Sequence, residues 1–271
     1  MQRQKTGMKQ WRELEKTISI NMLFNVVASG SKGNSTIIKS HNTIILIDMG
    51  ISFTRLEEGC HEIGIEPNMI EGVLFTHEHA DHVSGLKFIK TRKQYALEGT
   101  LPSQNHQVVQ LFDPFVIGEL VITPIKTSHD AKNPCGYVVE NKTEKLVYFT
   151  DTGMFPSVNF PFVKNPDYLI IEANHDIQML LKTKRTYELK QRILSDVGHL
   201  SNEDSALVAK EIIGNKTKEI ILAHISEEAN TPETALKAYK QIFSFYGLDI
   251  DKYHVRVANQ WHSTIGGHDE D

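Results

Sequence analysis

The sequence predicts a single α/β domain in which sheets and helices form layers. Apolar runs of strand length, separated by turn residues, alternate with helix-like stretches that become longer in the second half of the chain. Hydrophobic residues make up 40% and charged residues 23% of the 271 residues, which allows a buried core and excludes a disordered chain or a fibre. No apolar run approaches the ~18 residues that span a bilayer. We therefore expect a folded domain without a membrane partner.

The predicted strands are short runs rich in β-branched and aromatic residues, bounded by Gly, Asn, Asp or Pro. They cover residues 22–28, 36–39, 43–47, 72–75, 120–125, 136–140, 145–149, 168–171, 219–222 and 253–257. The predicted helices cover residues 56–63, 85–91, 188–195, 202–213 and 232–245. Ser201 is expected to cap the fourth helix, and Thr231 followed by Pro232 is typical of the start of the fifth.

The chain divides into one domain and two ends. Residues 1–21 are polar and are expected to form a flexible or short helical extension, residues 22–260 the domain, and residues 261–271 a tail. The extension lacks the apolar core of a secretory signal. Two cysteines without CxxC spacing argue against a disulfide framework and a zinc ribbon. A cytoplasmic protein is therefore expected.

The motif THEHADH, residues 76–82, is the strongest functional signal. It places His77, His79, Asp81 and His82 directly after a predicted strand. Residues i and i+2 point the same way in extended backbone, so His77 and His79 can reach one metal ion. Asp81 and His82, beyond a turn, can reach a second. Four such positions arise by chance roughly once in several hundred sequences, so we prefer a metal site to an exposed polar turn.

Further residues of metal-ligand type follow other predicted strands. His129, Asp151 and His224 each lie at or just past the end of an apolar run. The ends of strands in an open sheet meet in one crevice, so we expect these side chains to lie near the motif. Asp48 ends another strand, where it is expected either to hold a ligand histidine in its tautomer or simply to form a turn.

This set contains nitrogen and oxygen donors but no thiolate. It therefore suits two divalent ions with a shared carboxylate better than one structural zinc. Zn²⁺, Mn²⁺ and Fe²⁺ are all compatible with such donors, and the ligand types do not separate them. The expected cofactors are two divalent ions, zinc or manganese, with iron as an alternative. The predicted ligands are His77, His79, Asp81, His82, His129, Asp151 and His224.

These residues resemble the metallo-β-lactamase superfamily. Four further segments resemble its YycJ (WalJ) subfamily of DNA exonucleases: ASGSKGNST (28–36), EANHD (172–176), LKQRILSDVGHLSNEDS (189–205) and LAHISEEANTPE (222–233). The resemblance implies an αββα sandwich with the site at one edge of its two sheets. It assigns one metal to His77, His79 and His129, the other to Asp81, His82 and His224, and a bridging role to Asp151. The stretch between Asp151 and His224 is too short for a β-CASP insertion.

Other residues are candidates for catalysis or substrate binding. Glu172 and His199 match in kind the pair that donates a proton to the leaving group in ribonuclease Z, although a structural His–Glu pair is the alternative. The glycine-rich segment with Ser31 and Asn34 is expected either to present backbone N–H groups to an anion or to form a plain turn. His175 is expected to contact phosphate or to cap a turn.

A basic segment provides the remaining candidates for substrate binding. The net charge of −5 argues against nucleic-acid binding by bulk charge but leaves room for a local patch. Positive charge beside Tyr187 favours a groove for single strands, with a solvated helix face as the alternative. The candidates are Lys184, Arg185, Lys190 and Arg192.

The expected function is a dinuclear-metal hydrolase that cleaves DNA phosphodiesters by attack of a metal-bound hydroxide, as a 5′-to-3′ exonuclease. Asp81, Glu172 and His199 are the predicted catalytic residues. DNA would be held by this one domain or by a homo-oligomer. The alternative is a small-molecule hydrolase of the same fold, acting on a thioester or a cyclic phosphodiester. A non-hydrolytic flavodiiron-like role is disfavoured because His79 stands where those proteins carry Glu.

Overall fold

The computed structural model describes residues 21–102 and 106–267. Its strands are β1 (Met22–Ala28), β2 (Ser35–Ser40), β3 (Thr43–Ile47), β4 (Gly72–Leu74), β5 (Lys93–Ala96), β6 (Gln107–Val108), β7 (Phe115–Ile117), β8 (Leu120–Lys126), β9 (Cys135–Glu140), β10 (Lys145–Phe149), β11 (Tyr168–Glu172), β12 (Glu219–Ala223), β13 (His254–Val257) and β14 (Thr264–Gly266). Its helices are α1 (Phe53–Glu62), α2 (Ala80–Val83), α3 (Phe160–Val163), α4 (Ile177–Lys182), α5 (Tyr187–Ile193), α6 (Asn202–Ile212) and α7 (Pro232–Phe245).

The strands form two mixed sheets. One has the order β14-β1-β2-β3-β4-β5-β6 and the other β13-β12-β11-β10-β9-β8-β7. Neighbours from β3 to β6 are parallel in the first sheet, and neighbours from β10 to β13 are parallel in the second. The carboxyl ends of parallel strands lie at the same edge of a sheet, so each sheet presents one edge where side chains can converge.

Alternation along the strands divides the apolar side chains into three layers. In β11, Tyr168 and Ile170 lie in the core between the sheets, which also contains Phe24 and Ile45 of the first sheet. Leu169 and Ile171, on the opposite face, lie in a second core with side chains of α6 and α7. A third core joins the outer face of the first sheet to α1. The order helix, sheet, sheet, helix confirms the predicted αββα sandwich.

The predicted elements agree with the structure where apolar runs are long. The predicted strands all occur within one or two residues of their expected bounds, and the helix at 232–245 has the bounds expected. The short strands β5, β6, β7 and β14 and the helices α3 and α4 were not predicted. The helix expected at 85–91 is wrong: a short helix precedes it, and only a 3₁₀ turn occupies 86–88.

The predicted C-terminal boundary also needs correction. Strand β14 pairs with β1, with Phe24 opposite Gly266, so the first sheet extends into the segment expected to be a tail. Arg256 donates to the carbonyl of Ile265, and Gly267 N–H donates to Glu219, which ties this segment to the second sheet. The extension proposed for residues 1–21 lies almost entirely outside the described residues. Among the described helices, none combines the length and apolar character that a bilayer-spanning segment requires.

Candidate metal centre

The predicted metal ligands converge at the edge where parallel strands of both sheets end. His77 and His79 follow β4, and Asp81 and His82 lie in α2. The other three ligands each follow a strand: His129 follows β8, Asp151 follows β10 and His224 follows β12. Asp48, Asp151 and His224 have φ angles of 59°, 55° and 55°, in the left-handed region that non-glycine residues seldom adopt. Residues keep such φ angles only where the surrounding contacts hold them, and they are frequent at functional sites.

Donor atoms form two groups around Asp151. His77, His79 and His129 form one group, and Asp81, His82 and His224 form the other; within each, the possible ligand atoms lie within 4.8 Å of one another. Asp151 lies between them: its Oδ2 is 3.3 Å from Nε2 of His82, and its Oδ1 is 3.5 Å from Nε2 of His224 and 4.0 Å from Nε2 of His129.

Hydrogen bonds orient four of the five histidines in the same way. Their Nδ1 atoms contact protein oxygens: Thr76 Oγ1 at 3.0 Å for His77, Asp48 Oδ2 at 2.7 Å for His82, the Gly198 carbonyl at 3.1 Å for His129, and Glu172 Oε1 at 2.9 Å for His224. An N–H at Nδ1 leaves the lone pair of Nε2 directed into the cluster, as a metal ligand requires.

Several of the inward atoms have no hydrogen-bond partner. Nε2 of His77, Nε2 of His224 and Oδ2 of Asp151 are all buried without one. A buried polar atom without a partner normally costs ~1–3 kcal/mol, so a cluster of them aimed at one point needs a reason. Divalent ions would satisfy these atoms, and the donor set of imidazoles and carboxylates fits such ions.

Burial and mutual charge shift the pKa values of this cluster. Burial, with neighbouring His82, holds the pKa of His77 well below its usual value and leaves it neutral, the form that binds metal. Burial alone would raise the pKa of Asp151, but His224 and His82 outweigh it and hold that pKa well below its usual value. The charge needed on a metal-binding carboxylate is therefore present at neutral pH.

Asp48 is fully buried, and its carboxylate is hydrogen-bonded to a predicted ligand histidine and to Thr76. Its Oδ2 accepts from His82 Nδ1 and from Thr76 Oγ1 at 2.8 Å, and its Oδ1 accepts from the Thr76 N–H at 2.8 Å. The chain that follows can turn back only because residue 50 is glycine: a Cβ on Gly50 would lie 1.6 Å from the carbonyl oxygen of Asp81. Thr76, which the sequence reasoning did not single out, joins Asp48 to two histidines; its place at the start of THEHADH was the available signal.

Glu172 lies at the end of β11 beside this cluster. Its Oε1 accepts from Nδ1 of His199 at 2.8 Å and from Nδ1 of His224, while its Oε2 accepts the N–H groups of Thr152 at 3.0 Å and Leu200 at 3.1 Å. All its lone-pair positions are therefore used, so Glu172 is poorly suited to bind a metal itself, although it lies within reach of one. Burial would raise the pKa of Glu172, but His199 and His224 together lower it to about 2.

A cavity of about 220 Å³ opens beside the cluster. It is lined by His129, His199 and His224 and by the wall residues Ser31, Arg185 and Arg192. Arg185 lies 3.3 Å from Glu228, and Arg192 is bonded to Asp130. Apolar side chains on α5, Leu189 and Ile193, complete one wall; their helical spacing alone did not separate them from ordinary core positions.

Four residues predicted to bind substrate are placed elsewhere. Asn34 is buried, and its side chain bonds to Gly30, Asp81 and His82. His175 is 1% exposed, and its backbone bridges to Ser201, so its ring is buried away from the cavity surface. Lys190 donates to the carbonyls of Leu181 and Thr183. Lys184 is exposed, but it is not part of the cavity wall.

Most backbone N–H groups of the glycine-rich loop already have protein acceptors. The N–H groups of Ser29, Gly30, Lys32, Gly33 and Asn34 all donate to protein oxygens. Backbone donors already used in this way are not available to an anion. The loop instead positions Ser31 at the cavity.

Comparisons with known proteins agree with this fold. A model of the beta-lactamase superfamily domain matches residues 43–225. Exodeoxyribonuclease YycJ of Bacillus anthracis is 32% identical over 240 residues, which cover 84% of this chain and 91% of that protein. Exodeoxyribonuclease WalJ of Streptococcus pneumoniae serotype 2 is 34% identical over 231 residues, which cover 80% and 86%. The metallo-beta-lactamase fold protein YhfI from Bacillus subtilis superposes with a TM-score of 0.69 at 18% identity, covering 91% of this chain and 100% of YhfI. The chain therefore belongs to the β-lactamase superfamily and, within it, to the family of YycJ and WalJ.

Proposed function

We propose that the protein is a metal-dependent nuclease that hydrolyses phosphodiester bonds of DNA from the 5′ end. The observation that carries the proposal is the common orientation of the histidines, whose Nδ1 atoms are engaged so that Nε2 atoms converge around Asp151. The family adds the substrate class, because its curated members YycJ and WalJ are named exodeoxyribonucleases.

Two divalent ions, Zn²⁺ or Mn²⁺ with Fe²⁺ as an alternative, are proposed as cofactors. The first would be held by His77, His79 and His129, the second by Asp81, His82 and His224, with Asp151 shared between them. When bound, such a pair supplies an activated water and stabilises charge on the phosphate. Asp48 then acts by keeping His82 in the tautomer that this requires.

His199 is proposed as the proton donor to the departing oxygen. Its Nδ1 is held by Glu172, its ring borders the cavity, and its side chain is 19% exposed, so Nε2 can reach a substrate. A leaving alkoxide needs a proton, and a positioned histidine can supply it. Glu172 orients the imidazole through its bond to Nδ1.

Ser31, Arg185 and Arg192 are proposed to contact substrate phosphates at the cavity wall. The carboxylate partners of both arginines are partly exposed, and pairs of this kind contribute little stability. A phosphate can therefore replace Glu228 or Asp130 as the partner at small cost. The exposed Lys184 would then add only long-range attraction.

A cytoplasmic location is also proposed. Cys60 and Cys135 are buried free thiols, which supports it.

The test is cleavage of 5′-phosphorylated and 5′-hydroxyl oligonucleotides, single- and double-stranded, with Mn²⁺ or Zn²⁺ and with EDTA as the control. The expected result is metal-dependent release of nucleotides from the 5′ end. Turnover of a thioester or a small phosphodiester without any cleavage of DNA would refute the polymer substrate and favour the small-molecule alternative. Equal DNA cleavage in EDTA would refute the metal dependence.

A further inference from the structure

An exposed tryptophan lies beside the cavity, in the segment that the sequence suggested was a tail. The side chain of Trp261 is 53% exposed. Large aromatic side chains usually bury most of their surface, so a tryptophan left half in water invites a functional explanation.

Trp261 is nonetheless held in one position. Its Nε1–H donates to Glu227 Oε1 at 2.9 Å, and its backbone N–H donates to Asn259 Oδ1 at 2.7 Å. The ammonium group of Lys32 lies 5.0 Å from the ring centroid and 2.6 Å from Glu227 Oε2. A ring fixed in this way has already lost the rotational freedom that binding would otherwise remove.

The neighbouring contacts connect this ring to the proposed metal centre. Ser29 N–H donates to the carbonyl of Asn259, and Ser29 Oγ accepts the N–H of His224. Lys32 and Glu227, the residues that contact Trp261, directly follow two residues of the cavity wall in the sequence, Ser31 and Ser226. The ring is therefore held by two residues, Lys32 and Glu227, that are each next in sequence to a residue of the cavity wall.

We infer that Trp261 is a stacking platform for an unpaired base of single-stranded DNA whose phosphate enters the cavity. The inference rests on the proposed nuclease function and adds a binding residue to it. Base–aromatic stacking needs an accessible ring face beside cations that follow the phosphate chain, and Trp261 with Lys32, Arg185 and Arg192 provides this combination. Because a base must leave its pair in order to stack, the platform favours single strands or frayed ends over duplex.

The test is binding of a single-stranded oligonucleotide in EDTA, where metal-dependent cleavage is not supported. Trp261→Leu removes the π-face and is expected to raise Kd roughly 5- to 100-fold. Trp261→Phe keeps a face for stacking but loses the bond to Glu227, and its Kd should stay within about threefold of wild type. Phe245→Leu, at an exposed aromatic residue on α7, is the matched control and should leave Kd unchanged.

Two further readouts separate stacking from a structural role. In a Trp11→Phe background, binding of single-stranded DNA should quench the fluorescence of Trp261, the remaining tryptophan. An abasic single strand of the same length, which offers phosphates but no base, should bind wild type and Trp261→Leu with the same Kd. Equal loss of binding in the Leu and Phe variants would assign the effect to the bond with Glu227 and overturn the stacking role.

The failure of this inference can be distinguished from failure of the proposed function. A wild type that cleaves DNA, with a Trp261→Leu variant that binds single strands equally well, would overturn the platform alone. A wild type that neither binds nor cleaves DNA would overturn both.

Discussion

Glu172 accepts hydrogen bonds from two histidines, His199 and His224. A Glu172→Gln variant would test what its charge contributes to stability, to metal binding and to catalysis. The glutamine oxygen can still accept the N–H groups of Thr152 and Leu200. Its NH₂ group, however, would face Nδ1 of both His199 and His224, where an acceptor now stands. Each imidazole would then favour the tautomer protonated at Nε2. For His224, that proton occupies the lone pair proposed to bind metal.

The size of the effect follows from the shifted pKa. A pKa of about 2 in place of 4.5 corresponds to about 3 kcal/mol of interaction between the charged carboxylate and its surroundings. The folded-state pKa is the lower one, so this stabilisation is present above pH 4.5 and is lost as the pH falls toward 2. Without metal, the free energy of unfolding of Glu172→Gln at pH 7 should therefore be about 3 kcal/mol lower than that of wild type. The difference should become smaller as the pH is lowered.

Two assays would measure the consequences. Chelator competition should show metal binding about 10- to 100-fold weaker, the usual cost of removing a partner that orients a ligand histidine. At saturating metal, cleavage should still be about 10²-fold slower or more, because His199 has lost its orienting acceptor. Glu140→Gln, at a partly exposed pair with Lys145, is the matched control. Wild-type metal affinity together with wild-type stability in Glu172→Gln would refute the reasoning.

Three other variants test separate parts of the site. Asp81→Ala should lose bound metal, seen by elemental analysis, and nearly all turnover while its circular dichroism is unchanged; full activity would contradict the two-metal assignment. His199→Ala should slow cleavage by about 10²–10⁴-fold with metal content unchanged, whereas the exposed His61→Ala should be neutral; a wild-type rate with a poor leaving group would remove His199 from the acid role. Burial lowers the pKa of His175 to about 4. Between pH 6.5 and pH 4 the unfolded chain therefore binds a proton that the folded chain does not bind, so the free energy of unfolding decreases as the pH is lowered. Between pH 7 and pH 5 in EDTA, urea unfolding of His175→Leu should therefore lose about 2 kcal/mol less than wild type, and equal losses would show that His175 titrates normally.

The sequence correctly predicted where residues that directly follow the predicted strands lie. The ends of β4, β10 and β12 carry His77, Asp151 and His224, and parallel pairing within each sheet brings such ends to one edge. The positions of these side chains could be predicted because strand, turn and side-chain type are all local in the sequence.

Residues whose environment depends on distant segments were placed poorly. Asn34 reads as a turn residue, but its amide is used by Asp81, far along the chain. Lys190 looks like part of a basic face until its ammonium is seen to donate to the carbonyls at the end of α4. Strand β14 is too short to be recognised from its own residues, and it exists because β1 offers a free edge.

The left-handed backbone at Asp48, Asp151 and His224 sets a limit on how this protein can be improved. Each such residue costs on the order of 1–3 kcal/mol, and net stabilities are only about 5–15 kcal/mol. Selection for heat resistance alone would therefore favour glycine or asparagine at these positions. The residues of the proposed metal centre would then be lost while the fold was kept. Directed evolution of a robust enzyme must score activity in every round and seek its stability in the helical layers.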